Sequence, residues 1–164
     1  MVLVFEIALV LVLFICLIYG IKYLLLLAVK QNADNAFEQL YKALPKFYGA
    51  VEKLISEIRT LAPENTSLVT DTQNLISQAL NFSIEKDGNE RIIAYANVIA
   101  ENVKKLAETT ENINKDRYNL LFSDFAKVKN KYNAAAKKLR RYADVFPTSF
   151  YARLKKITIM DYLN

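Results

Sequence analysis

Apolar positions along this chain follow two distinct patterns. Residues 2–21 read VLVFEIALVLVLFICLIYGI, apolar on every face of any helix and with Glu6 as the one charge, and after Lys22 the run resumes through residues 23–29. Twenty such residues rising 1.5 Å each cover roughly 30 Å, the thickness of bilayer hydrocarbon. That first pattern predicts a membrane-spanning helix. The second starts at Ala33 and continues through Phe37, Leu40, Leu44, Phe47, Val51, Leu54, Ile58 and Leu61, in alternating steps of four and three. A 3.5-residue period predicts a helix whose apolar seam faces partner helices. Span and seam are expected to form one helix, which Pro45 kinks rather than ends, because the seam resumes in register beyond it.

Three further helices are predicted. Residues 62–66 (APENT) form a break, with Pro63 as stop and Asn65 or Thr66 as N-cap. The next helix carries Leu68, Leu75, Ala79 and Phe82 on one face and gives out over residues 85–89, where Gly88 is the natural turn residue. A third stripe follows at Ile92, Tyr95 or Ala96, Ile99, Val103 and Leu106, and the polar run over 108–116 holds either a break or an uninterrupted helix. The last stripe is the longest: Tyr118, Leu121, Phe125, Val128, Tyr132, Ala135, Leu139, Tyr142 and Phe146 step by three and four until Pro147, Thr148 and Ser149 end the helix. Aromatics at this spacing are core residues first. The expected architecture is all-α: an N-terminal transmembrane helix continuing into a long antiparallel, coiled-coil-like bundle of three to four helices. Residues 1–29 form the anchor, 30–147 the bundle domain, and 148–164 a tail packed on the bundle or at the membrane interface.

Composition narrows the chemistry. The 164 residues include no His, one Cys and three widely separated Gly. That leaves no His or multi-Cys zinc site, no Ser-His or Cys-His couple, no internal disulfide and no Gly-rich phosphate loop. The sequence therefore reads as non-enzymatic, with no cofactor. The first segment lacks the basic start, short apolar core and small-residue cleavage site of a signal peptide, and bulky Leu13, Phe14 and Ile15 precede Cys16 where lipoprotein processing wants small residues. An uncleaved single-pass anchor is the reading that remains. No Lys or Arg precedes the span, whereas Lys22, Lys30, Lys42 and Lys46 follow it, which places the N-terminus outside and the bulk of the chain on the cytoplasmic side. Glu6, about one turn into the span, reads as interfacial.

Charge then points to a surface. Residues 127–156 carry ten basic side chains against Asp144 alone, a net of +9, which leaves the rest of the chain at −4. A last helix that descends toward the bilayer would return this segment to an anionic leaflet, which attracts each nearby Lys or Arg by about 1 kcal/mol. The expected lipid or partner contacts are Lys137, Lys138, Arg140 and Arg141, joined by Arg153, Lys155 and Lys156 in the tail, where they interleave with Phe150, Tyr151, Leu154, Ile157, Ile159, Met160, Tyr162 and Leu163. A scaffold at the membrane, with anionic lipid as partner, is the leading functional reading, and beside it stands the plain one of a solvated basic face with a tail that packs on the core. The alternative is a membrane-recruited adaptor in a signalling or envelope pathway that binds another protein or copies of itself, since seams of this period serve oligomers equally well. Nucleic-acid binding is the weakest of the three, because Tyr132 and Tyr142 belong to the seam and not to the basic face.

Tyr132-Asn133, Ala135, Phe146-Pro147 fourteen residues after Tyr132, then Ala152, Leu154 and the closing Asp161-Tyr162-Leu163 resemble the final signature of the LemA family of bacterial membrane proteins; Ala36-Phe37 stands at that family's Ala-Trp. The chain departs from the pattern at Leu139-Arg140, which replaces a second Tyr-Asn, at Glu52-Lys53 in place of Pro-Asn, and at Lys156-Ile157 in place of Gly-Phe. The resemblance implies location in the cell (inner) membrane, a short external N-terminus, a cytoplasmic antiparallel bundle and a part in membrane organisation. It implies structural roles for Phe37, Tyr132, Asn133, Ala135, Phe146, Pro147 and Tyr162, and it implies no reaction.

Overall fold

The computed structural model describes residues 2–61, 66–110, 115–145, 147–155, 157 and 162–163, without the side chains of residues 2–5, 115–118, 120 and 121. These residues form five helices and, among them, no strand: α1 (Val2–Leu61), α2 (Thr66–Ala79), α3 (Ile84–Thr109), α4 (Lys115–Asp144) and α5 (Thr148–Leu154). The expected positions Asn65, Tyr118, Leu121, Phe146, Lys156, Ile159, Met160 and Asp161 lie outside the described residues or side chains.

Helix α1 runs for 60 residues, about 90 Å at the helical rise. It continues through Pro45, whose ring lies on an exposed face. Its two sequence patterns are two environments. Side chains over residues 6–25 are almost all exposed, among them Leu13, Phe14 and Leu24, each at least 60% exposed. Burial begins abruptly with Leu26, 0% exposed, and then follows the predicted seam from Ala33 to Ile58; Leu61 alone of that seam is exposed. Helix α1 is, among the described residues, the one helix long and apolar enough to cross a membrane, by length and composition.

Helix α4 packs along the second half of α1. The rings of Phe47 and Phe125 stack 4.1 Å apart, Lys131 donates to Gln39 at 2.8 Å, and Phe37 meets Tyr132 edge-on at 5.9 Å. Closer to the apolar segment, Tyr23 lies 5.1 Å from Tyr151 of α5. From Phe125 to Lys131 and Tyr132 on α4, the partners on α1 run from Phe47 back to Gln39 and Phe37. The predicted seam of α4 turns inward at Phe125, Tyr132 and Leu139, but the face is rotated: Ala136 and Ala143 are buried, while Ala135 and Tyr142 are only partly so.

Helices α2 and α3 pack against each other, and each touches α1. On α2 the buried residues are Val69, Thr72, Ile76 and Ala79, with Leu68, Leu75 and Phe82 at the margin. The polar member of that face, Thr72, donates its hydroxyl to the Leu68 carbonyl at 2.7 Å, which satisfies it inside the core. The turn after α2 falls at residues 80–83, earlier than Gly88 suggests. Ser83 caps α3 by accepting from Lys86 N–H at 3.3 Å, while the Asp87 carboxylate accepts from Ser83 N–H at 3.0 Å, a reciprocal arrangement that starts the helix ahead of the glycine. Gly88 then kinks α3 with φ 71° and ψ 164°. Tyr41 of α1 donates to the Phe82 carbonyl at 2.8 Å and ties this corner down. The third stripe is buried as expected at Ile92, Ala96, Ile99, Val103 and Leu106. Its helix stops without Pro or Gly: Thr110 is extended, and both its N–H and its hydroxyl bond the Leu106 carbonyl.

Candidate functional site

The end of α4 and the whole of α5 lie beside the point where α1 changes from exposed to buried. Thr148 makes the corner between them. Its side chain is 3% exposed and its hydroxyl lies against the Tyr142 and Val145 carbonyls, covering groups that the end of α4 leaves open. Ala152 packs inward on α5 while Phe150 and Leu154, one turn apart, are 58% and 63% exposed. Val145, 62% exposed, adds to the same apolar margin.

The expected basic contacts divide into two groups. Lys137, Lys138, Arg141, Arg153 and Lys155 are exposed and have no carboxylate partner among the described residues, whereas Lys127 is paired with Asp124 at 3.3 Å. Arg140 differs: it is half-buried and its guanidinium carbon sits 5.0 Å above the Tyr162 ring. Lys156 lies outside the described residues. Lys137 and Lys138 are within about one turn of Arg141 along α4, a rise of about 6 Å or less, so all three fall within roughly one Debye length of a common plane.

Sequence reasoning did not join Lys22 to this group. It is exposed on α1 at the end of the apolar segment, and with Arg141, Tyr142, Val145, Pro147 and Thr148 it lines an open cleft of about 280 Å³. The neighbour could have been found from the sequence only by fixing the register of α4 against α1, which the Phe37–Tyr132 and Phe47–Phe125 contacts set.

The remaining expected residues form a clasp for the end of the chain. Phe37 and Tyr132 are 3% and 0% exposed and in ring contact. The adjacent Asn133 donates to the Leu163 carbonyl at 2.7 Å and accepts from Leu163 N–H at 3.0 Å. Asn97 of α3 donates to the Tyr162 carbonyl at 3.1 Å. Leu163 is thereby buried, and Tyr162 is held under Arg140. Ala135 is half-buried at the margin of the core. Asn97 was not singled out in the sequence, where an Asn on a helix flank carries no signal of a partner 65 residues away.

Among the described residues no three His, Cys, Asp or Glu side chains come together to hold a metal ion. Comparison with known proteins gives no match: no protein-family model, no curated protein and no solved structure matches this chain.

Proposed function

We propose that this protein is a non-enzymatic, membrane-anchored helical scaffold of LemA type, in which α1 spans the cell (inner) membrane from an external N-terminus and carries an antiparallel bundle on the cytoplasmic face. The observation that carries the reading is a coincidence of levels. The exposed apolar stretch of α1 ends within one turn of Tyr23, and there the basic end of α4 and the exposed apolar side of α5 arrive, through the Tyr23–Tyr151 contact and the Lys22–Arg141 cleft. Exposed residues 6–25 cover about 30 Å of helix, enough to fill a hydrocarbon layer. At the corner that meets α1 there, Phe150 and Leu154 are exposed and suit the acyl boundary, and the exposed cations Arg141, Arg153 and Lys155, with Lys137 and Lys138 about one turn back along α4, suit an anionic leaflet. The signature pairs Phe37–Tyr132 and Asn133–Leu163 lend the family reading physical sense, because each joins parts of the chain far apart in sequence.

The test uses the full chain with Cys16→Ala, reconstituted in vesicles of phosphatidylcholine and phosphatidylglycerol. A fluorophore at Leu154→Cys should be quenched by nitroxide-labelled lipid, and one at Thr60→Cys, at the far end of α1, should not. Replacing Lys137, Lys138 and Arg141 by Glu should reduce quenching at position 154 with helicity unchanged. Equal quenching at positions 154 and 60 would overturn the reading. Protease access to α4 from the cytoplasmic side of membrane vesicles tests the orientation.

A further inference from the structure

The cleft between α1 and the α4–α5 corner has a chemistry narrower than a diffuse basic surface. Two cations, Lys22 and Arg141, line it, both exposed and both without a carboxylate partner among the described residues. The remaining walls are Tyr142, Val145, Pro147 and Thr148. The Thr148 hydroxyl is turned to the Tyr142 and Val145 carbonyls, so its proton is used inside the corner and the charge a ligand meets in the cleft is cationic. Like charges facing one cleft repel each other unless an anion lies between them. At about 280 Å³ the cleft stands at the lower end of ligand-site sizes, suited to a compact group.

We propose that this cleft holds the phosphate of a single anionic phospholipid, with its glycerol portion against Val145 and Pro147 and its acyl chains along the exposed apolar side chains of α1. The proposal rests on the membrane-facing reading above and gives it a defined ligand. Its position is the reason for choosing a lipid over a soluble anion: Lys22 lies on the last turn before burial begins, with Ile21, Leu24 and Leu25 exposed beside it, so an occupant of the cleft sits at headgroup level with hydrocarbon next to it. Arg141 can grip two phosphate oxygens at once through its guanidinium fork, while Lys22 supplies a mobile point charge that reaches up from the span.

Native mass spectrometry of the full chain, released from a neutral detergent, tests the site. With phosphatidylglycerol added, one bound lipid is expected, and little with phosphatidylcholine, whose headgroup carries its own cation. Lys22→Gln combined with Arg141→Gln should weaken retention roughly thirtyfold, since two contacts of the size found at a membrane surface are lost together. Arg141→Lys should restore much of it alongside native Lys22. Lys137→Gln with Lys138→Gln, which face lipid from outside the cleft, should weaken it by a much smaller factor than the cleft pair. Circular dichroism reports whether each variant is folded. Equal loss from the 137/138 pair would overturn the cleft in favour of a diffuse field, and retention of inorganic phosphate without lipid would overturn the lipid assignment. The two readings fail separately: a chain that needs detergent but retains no phosphatidylglycerol sinks the cleft alone, and a chain that stays in solution without detergent sinks the membrane reading beneath it.

Discussion

Asn133 and Leu163 face each other as a two-bonded amide pair, the side chain of one reading the backbone of the other at 2.7 and 3.0 Å. A backbone amide that is buried with its residue needs both its donor and its acceptor satisfied. Here a single Asn does both for a chain end that has no helix of its own at that point. Two hydrogen bonds at about 1 kcal/mol each set the scale of the interaction. Asn133→Ala should therefore lower stability by about 2 kcal/mol and, more specifically, open the C-terminus to carboxypeptidase while the far-ultraviolet circular dichroism stays unchanged. Digestion at the wild-type rate would show that Asn97 and the Tyr162–Arg140 contact hold the end without it.

The ring pair Phe37–Tyr132 sits at the centre of the α1–α4 contact with almost no exposure. Tyr132→Ala is expected to cost about 3 kcal/mol or more, from lost transfer energy and the cavity left behind. A double-mutant cycle with Phe37→Leu and Tyr132→Leu should return a coupling of about 0.5 to 1.5 kcal/mol, the range for edge-to-face aromatic pairs. Denaturant titration in micelles gives all four free energies, and additive effects would place the two rings in independent environments.

Much of α1 was legible because its two patterns differ in kind: apolar on all faces to residue 25, then apolar on one stripe to Ile58. The face of α2 was misread. Leu68 and Leu75 lie at the margin, whereas Val69 and Ile76 are buried with Thr72 between them, and a polar Thr breaks an apolar count even though its hydroxyl is satisfied within the helix. On α4 the small Ala136 and Ala143 are buried, and the ring of Tyr142 is left at the edge. Periodicity records that a stripe exists but shifts by a residue when small side chains lead it. The clasp at Asn97 and Asn133, and the meeting of Lys22 with Arg141, had no periodic signature at all, because each depends on the register between separate helices.

Glycine substitutions should act in opposite directions at two positions. Gly88 has φ 71° and ψ 164°, a backbone region that L side chains rarely enter, so Gly88→Ala should cost about 1 to 3 kcal/mol. Gly49 lies in the interior of α1 with nothing within 4 Å of the point where a Cβ would stand, so Gly49→Ala should gain about 0.5 to 1 kcal/mol from the less flexible unfolded chain and better helix propensity. Thermal melts of the two variants decide it, and a destabilised Gly49→Ala would reveal a partner for that face of α1.

Tyr48 supplies a pH dependence with a definite sign. Its side chain is 2% exposed, and burial pushes the phenol up to about 12 from the usual 10. Above pH 10 the unfolded chain loses this proton while the folded chain keeps it, so the folded state binds more protons and its stability falls as pH rises. The contribution is fully present below pH 10 and is lost across the window from 10 to about 12. Lysines also lose charge in that window, and comparison with Tyr48→Phe cancels their part. Wild type should therefore lose about 2 kcal/mol more than Tyr48→Phe between about pH 9 and pH 11.5, because each tenfold change in an acid constant is worth about 1.4 kcal/mol. Denaturant midpoints of the full chain in neutral micelles measure the difference. Parallel curves for the two proteins would mean that the Tyr48 hydroxyl ionises as freely in the folded chain as in the unfolded one, and so reaches water from its place between α1 and its neighbours.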